Sequence, residues 1–142
     1  MTSRRALTVV FLLALTSPLT GQILTDEYAA RRAALADRLG DGLVVAFGGR
    51  EPVRHWPPFY QLPAFRYLTG FLESNAAFVM VTKDGNVTST LFVARPNART
   101  ALYNGERVTL ESVREDLELP ARYTDELRTF VDSVLATGLP LY

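Results

Sequence analysis

The chain has 142 residues, enough for one domain, with a formal net charge of zero and 48% apolar residues. That balance sets aside extended disorder, and the lack of a basic surplus sets aside nucleic acid as a partner. With no cysteine, thiol catalysis, zinc ribbons and disulfides are excluded. Arginine supplies nearly all the basic residues, Lys83 being the only lysine, a skew associated with GC-rich bacterial genomes.

The N-terminus has three parts: two arginines in MTSRR, an apolar run from Ala6 to Thr16, and the small polar stretch SPLTGQ. This is the pattern of a secretory signal. The run is shorter than the roughly 20 residues a helix needs to cross a bilayer. Residues 1–21 are therefore expected to be a signal peptide and residues 22–142 an exported domain, periplasmic or secreted. No membrane attachment is expected after cleavage. An uncleaved N-terminal anchor is the alternative, because the charge-free stretch continues to Thr25. Gln22 stands where a lipobox requires cysteine, which excludes a lipoprotein.

Thr25-Asp26-Glu27 predicts a helix start, with threonine as cap and two acids at the positive end of the dipole. Tyr28, Arg32, Leu35 and Leu39 recur at helical spacing, and Gly40-Asp41-Gly42 ends the run. Leu43 to Phe47 is a continuous apolar strand of the kind buried on both faces. Arg50 to Ala64 holds four prolines and no period, and is expected to be a long loop. The aromatic stretch Phe65–Phe71, FRYLTGF, follows. Ala76 to Thr82 and Val87 to Val93 predict two strands joined by a hairpin turn at Lys83–Asn86. Arg95 to Asn104 predicts a loop with a short helix. Ser112 and Glu115 have the spacing of a capping box for a helix near Thr109–Leu117. Thr124-Asp125-Glu126 opens a last helix, whose Leu127, Phe130, Val131, Val134 and Leu135 form a full apolar stripe. Leu139 to Tyr142 has the character of a strand beginning. The order predicts an α/β fold with a mixed sheet flanked by helices. The interrupted strand is expected to continue in a longer natural protein.

The chemistry-bearing residues do not assemble on paper. His55 is the sole histidine, and the fifteen carboxylates are scattered; Asp26-Glu27, Glu115-Asp116 and Asp125-Glu126 sit in or near first turns of helices, where capping and the dipole explain them. No His-Glu-x-x-His, Gly-x-Ser-x-Gly or phosphate-cradling glycine loop is present. Asn86-Val87-Thr88 spells a glycosylation sequon but is accounted for as turn and strand. A two-metal hydrolase needs several ligands converging on one spot, which this sequence does not offer. An RNase H-like nuclease fails for want of clustered acids and a basic surface.

FRYLTGF resembles the Phe-x-Tyr-Leu-Thr-Gly-Phe signature of the aminopeptidase P N-terminal domain, from the creatinase/prolidase "pita-bread" metallopeptidases. Other pieces fall in the family's order: Arg31–Leu35 for its first helix, Leu43–Phe47 for its first strand, then Leu91–Val93 and Tyr103-Asn104-Gly105-Glu106-Arg107. The resemblance implies a creatinase/aminopeptidase P N-terminal-like fold, incomplete at its C-terminus, without cofactor or metal of its own. It implies that a following catalytic domain holds two divalent metals, typically manganese, and hydrolyses the Xaa-Pro bond. This chain would wall the peptide cleft and mediate contacts in a homo-oligomer. Its expected partners are the peptide substrate and its own C-terminal catalytic domain. No catalytic residue carries over. The departures are Pro63-Ala64 where a polar pair usually precedes the signature, a shortened loop, and Tyr103 where tryptophan is common. A stand-alone extracytoplasmic peptide-binding or dimerisation module is the alternative.

Phe65, Leu68 and Phe71 are expected in the core, Thr69 as a tie for the backbone, and Gly70 in a tight turn. His55, Trp56, Tyr60 and Tyr103 are the cleft candidates, their flat faces and polar tips suiting a peptide groove. Tyr67 stands between core and cleft. The competing reading of His55 to Tyr60 is a surface loop pinned by Pro57-Pro58.

Overall fold

A computed structural model describes residues 23–52, 58–97, 101, 105 and 107–142. In chain order these form α1 (Thr25–Leu39), β1 (Gly42–Phe47), α2 (Pro63–Thr69), β2 (Ala77–Lys83), β3 (Asn86–Val93), α3 (Leu110–Leu117) and β4 (Ala121–Tyr123). A 3-10 turn (Thr124–Glu126) then leads into α4 (Leu127–Leu135). The sheet runs β1-β2-β3-β4, antiparallel across the first three strands and parallel between β3 and β4. The mixed sheet expected from the element order is thus present. The expected signal peptide lies outside the described residues.

Register sorts the core into two faces, because side chains alternate along a strand. Phe78 pairs with Leu91 and with Ala46, so these share one face with Met80 and Val93. Ala36 of α1, Phe65 of α2 and Val113 of α3 pack there. Leu43, Ala77, Val79 and Phe92 point the other way, under the α4 stripe of Leu127, Phe130, Val131, Val134 and Leu135. The Phe92 and Phe130 rings lie 5.5 Å apart and tilted. Helices thus cover both faces of the sheet. Double-sided burial does not hold along all of β1, however. It is an edge strand in the four-strand order, and burial fades from Leu43 at 0% exposure to Phe47 at 65%.

Outside that edge the last residues do what a strand beginning should. Leu43 N donates to Pro140 O at 2.8 Å, Tyr142 N donates to Leu43 O at 2.8 Å, and Leu141 bridges Leu43 in parallel. The hairpin turn places both Asp84 (φ 50°) and Gly85 (φ 78°) in the left-handed region, the backbone of a type I′ turn.

Local signals misplaced several boundaries. Thr25 is the first helical residue rather than the cap; Leu24 holds the cap position, with no side-chain bond. Pro63 and Ala64 belong to α2, not to the loop, because proline at N1 forfeits only an amide that has no partner anyway. Ser112 is the third residue of α3. The capping box joins it to Thr109, whose Oγ1 accepts from Ser112 N at 3.1 Å while Ser112 Oγ accepts from Thr109 N at 3.0 Å. The strand β4 went unanticipated: ARY is too short to show a period.

Candidate functional site

FRYLTGF is a helix and its cap. Phe65, 1% exposed, and Phe71, 5% exposed, enter the core as expected, and Leu68 packs against it. Thr69 ties the chain twice: Oγ1 donates to Phe65 O at 2.8 Å and accepts from Phe71 N at 3.1 Å. Gly70 closes α2 in the left-handed conformation (φ 71°), its N–H donating to Arg66 O. A Cβ there would also stand 2.7 Å from the Tyr28 ring, so two constraints demand glycine. The last carbonyls of α2 meet guanidinium groups from α1. Arg31 Nη1 donates to Tyr67 O at 3.2 Å and Arg32 Nη1 to Leu68 O at 3.0 Å. Cations at this end also suit the negative pole of the helix.

Of the cleft candidates, His55, Trp56 and Tyr103 lie outside the described residues. Tyr60 is 80% exposed, so its ring is free for contact. Tyr67 sits on α2, half-exposed, under the Arg31 guanidinium at 4.3 Å from its centroid. Arg31 also lies 5.2 Å from the Tyr28 centroid and 3.1 Å from a Glu27 oxygen. Tyr67 therefore belongs to a surface stack between α1 and α2 rather than to the core. No hydrogen bond or ring contact joins it to Tyr60 among the described residues.

What the tertiary structure adds is the anchoring of the segments that carry these candidates. Gln61 Oε1 accepts from Gly49 N (2.7 Å) and from Leu62 N (2.9 Å), while its Nε2 donates to Glu73 O (2.8 Å). One amide thereby staples both ends of the proline-rich loop to residue 73. Arg107 Nη2 meets Glu51 Oε2 at 2.5 Å, and its Nη1 donates to Ser74 O at 3.4 Å. Glu73 Oε1 accepts from Val108 N, and Asn75 Oδ1 accepts from Glu51 N. The loop after β1, the turn after α2 and the Gly-x-Arg segment are thus bound into one network. Beside it a surface groove of about 490 Å³ is lined by Phe47, Gly48, Arg50, Asn75, Thr124 and Leu127 among others. Arg107 shows in the sequence only as part of its segment, and Glu51, Gln61 and Glu73 do not stand out there at all. No periodicity or motif marks them; only the Gly-x-Arg spacing pointed at one member.

Among the described residues, no three His, Asp or Glu side chains converge as metal ligands would. The described residues do not fit a two-metal centre.

The sequence family described as aminopeptidase P, N-terminal domain, matches residues 28–142. The chain belongs to that family. A search of curated proteins finds no match. Among solved structures, aminopeptidase P from E. coli in its low-pH form is 26% identical with a TM-score of 0.71, over 80% of this chain and 27% of that one. Proline aminopeptidase P II from Yersinia pestis is 27% identical with a TM-score of 0.70, over 80% and 27%. A Bacillus anthracis protein described as an aminopeptidase P is 21% identical with a TM-score of 0.73, over 82% and 29%, which speaks for the fold alone. This aminopeptidase P N-terminal domain chain therefore spans between 27% and 29% of the length of those proteins.

Proposed function

We propose that this chain is the non-catalytic N-terminal domain of an exported Xaa-Pro aminopeptidase-like metallopeptidase. The observation that carries the reading is the family match over residues 28–142, joined to a fold shared with two aminopeptidase P enzymes at 26% and 27% identity. Hydrolysis of the Xaa-Pro bond would fall to a C-terminal domain that supplies ligands for two divalent metals, typically manganese. The share of this chain lies in binding and positioning. The anchored loop after β1 and the Gly-x-Arg segment would form the wall of the peptide cleft, with Tyr60 offering an exposed aromatic face. The same wall would meet a neighbouring subunit in a homo-oligomer. Export rests on the N-terminal charge and hydropathy pattern.

Two measurements on the isolated chain test the division of labour. Calorimetric titration with manganese is expected to show no tight stoichiometric uptake, and incubation with a Gly-Pro peptide is expected to leave it intact. Stoichiometric manganese binding, or cleavage by the purified chain, would overturn the assignment.

A further inference from the structure

Away from that network, a groove of about 440 Å³ opens between α1 and the outer half of β3, bounded at one end by the turn before β4. The volume is in the range of small-ligand sites. Arg32 lines it, together with Val87, Ser89, Glu118, Leu119 and Pro120. The Arg32 residue is only 8% exposed, and burial lowers its pKa because a desolvated cation is less stable. Buried guanidinium groups ordinarily carry a carboxylate partner. This one has none among the described residues: its single bond is Nη1 to Leu68 O. No fully sealed side-chain nitrogen of the described residues lacks a partner, so the unshared donors of Arg32 keep some contact with solvent.

Geometry narrows the ligand. With Nη1 engaged, Arg32 retains its Nε–H and Nη2–H edge, two parallel donors spaced to grip both oxygens of a carboxylate. Ser89 faces the same side of the sheet as Leu91, by strand alternation, and adds a hydroxyl donor. Val87, Leu119 and Pro120 supply apolar side walls, of which Leu119 is buried. Arg32 is the only cation lining the groove, which the exposed residue Glu118 also lines. A single cation can neutralise a monoanion but not a phosphate dianion. We propose that the groove between α1 and β3 is a carboxylate-binding site centred on Arg32. The ligand is a small organic acid or the C-terminal carboxylate of a peptide. The site does not depend on the peptidase reading.

The test uses the 142-residue chain with acetate as probe. Acetate is expected to move the Arg32 Nε–H resonance saturably and to raise the melting temperature above that in chloride of equal ionic strength. Arg32→Lys, which keeps the charge but loses the fork, is expected to weaken acetate binding by about tenfold or more. Ser89→Asp, which brings a carboxylate into the groove itself, is expected to melt higher than the parent and to abolish the acetate response. It serves as the deciding variant if Arg32→Lys does not fold. N-acetyl-Gly-Ala with a free carboxyl terminus, compared with its amide and with acetate, separates the two sources. Tighter binding of the peptide acid assigns the site to peptide termini, and equal binding assigns it to small acids. An unmoved Arg32 resonance together with a lower-melting Ser89→Asp variant would overturn the proposal.

Discussion

Thr69 shows how one hydroxyl can hold a signature segment in place. Its Oγ1 closes the last turn of α2 and receives the amide of Phe71, all within the core. Thr69→Val keeps the shape but leaves a buried N–H unpaired, and the expected loss in a urea unfolding experiment is about 1–3 kcal/mol. Gly70→Ala is harsher, since it combines a positive φ with a clash against Tyr28. It should lower the unfolding free energy by more than the roughly 1–2 kcal/mol that left-handed backbone alone costs. Tyr67 differs in kind. Half-exposed, and held by a cation stack from Arg31, it should cost only about 0.5–1 kcal/mol on truncation to alanine. The aromatic richness of FRYLTGF was legible in the sequence, as was the inward direction of Phe65 and Phe71. The stack over Tyr67 was not, because Arg31 lies 36 residues away along the chain.

At the scale of elements, caps and end-charges set where helices begin and how they dock. Thr109→Ala removes the true cap of α3 and should cost about 1 kcal/mol, whereas Glu115→Ala, at the outer end of the expected box, should change stability little. The 3-10 turn before α4 is tied to the end of β3 by Arg95, whose Nε donates to Asp125 Oδ2 at 2.8 Å. That hydrogen bond holds the Asp125 carboxyl below the usual range, and raises the Arg95 guanidinium so that it stays protonated throughout. A depressed carboxyl pKa stabilises the fold above its unfolded value of about 4, and the contribution is lost as the pH falls through the folded value. The stability difference between the parent and Asp125→Asn should therefore be present at neutral pH and vanish in acid. It should also shrink in high salt, because both side chains are 57% exposed. Urea midpoints across pH, with and without added salt, check both trends.

For the molecule as a whole, stability is concentrated in two core clusters on opposite faces of the sheet, while the candidate cleft hangs on polar bonds at one end. The two should separate experimentally. Phe78→Ala, which empties a fully buried ring site, should cost about 3–5 kcal/mol in global unfolding. Arg107→Met breaks a part-buried ion pair and leaves Glu51 with weaker partners such as the Asn75 amide, at an expected cost of about 1–3 kcal/mol. Its distinguishing effect should be local: hydrogen exchange should accelerate at Glu51 and Val108 more than in β2. Uniform acceleration across the sheet would mean that the network supports the core rather than the loops.

The sequence by itself determined what short-range patterning can carry: the α1 period, three of the strands, the hairpin, the α4 stripe and the family signature. In each of these the residues that define the element also stabilise it. The tertiary structure alone decided the rest. Three-residue β4 exists because β3 offers it a parallel edge. Gln61 and Arg107 matter because of partners 12 and 56 residues distant. Arg32 reads in the sequence as one more helical arginine, and becomes a buried cation only when α2 docks on α1 and offers it the Leu68 carbonyl. Contacts of that separation leave no trace in local composition, since neither partner's neighbours need change for the pair to form.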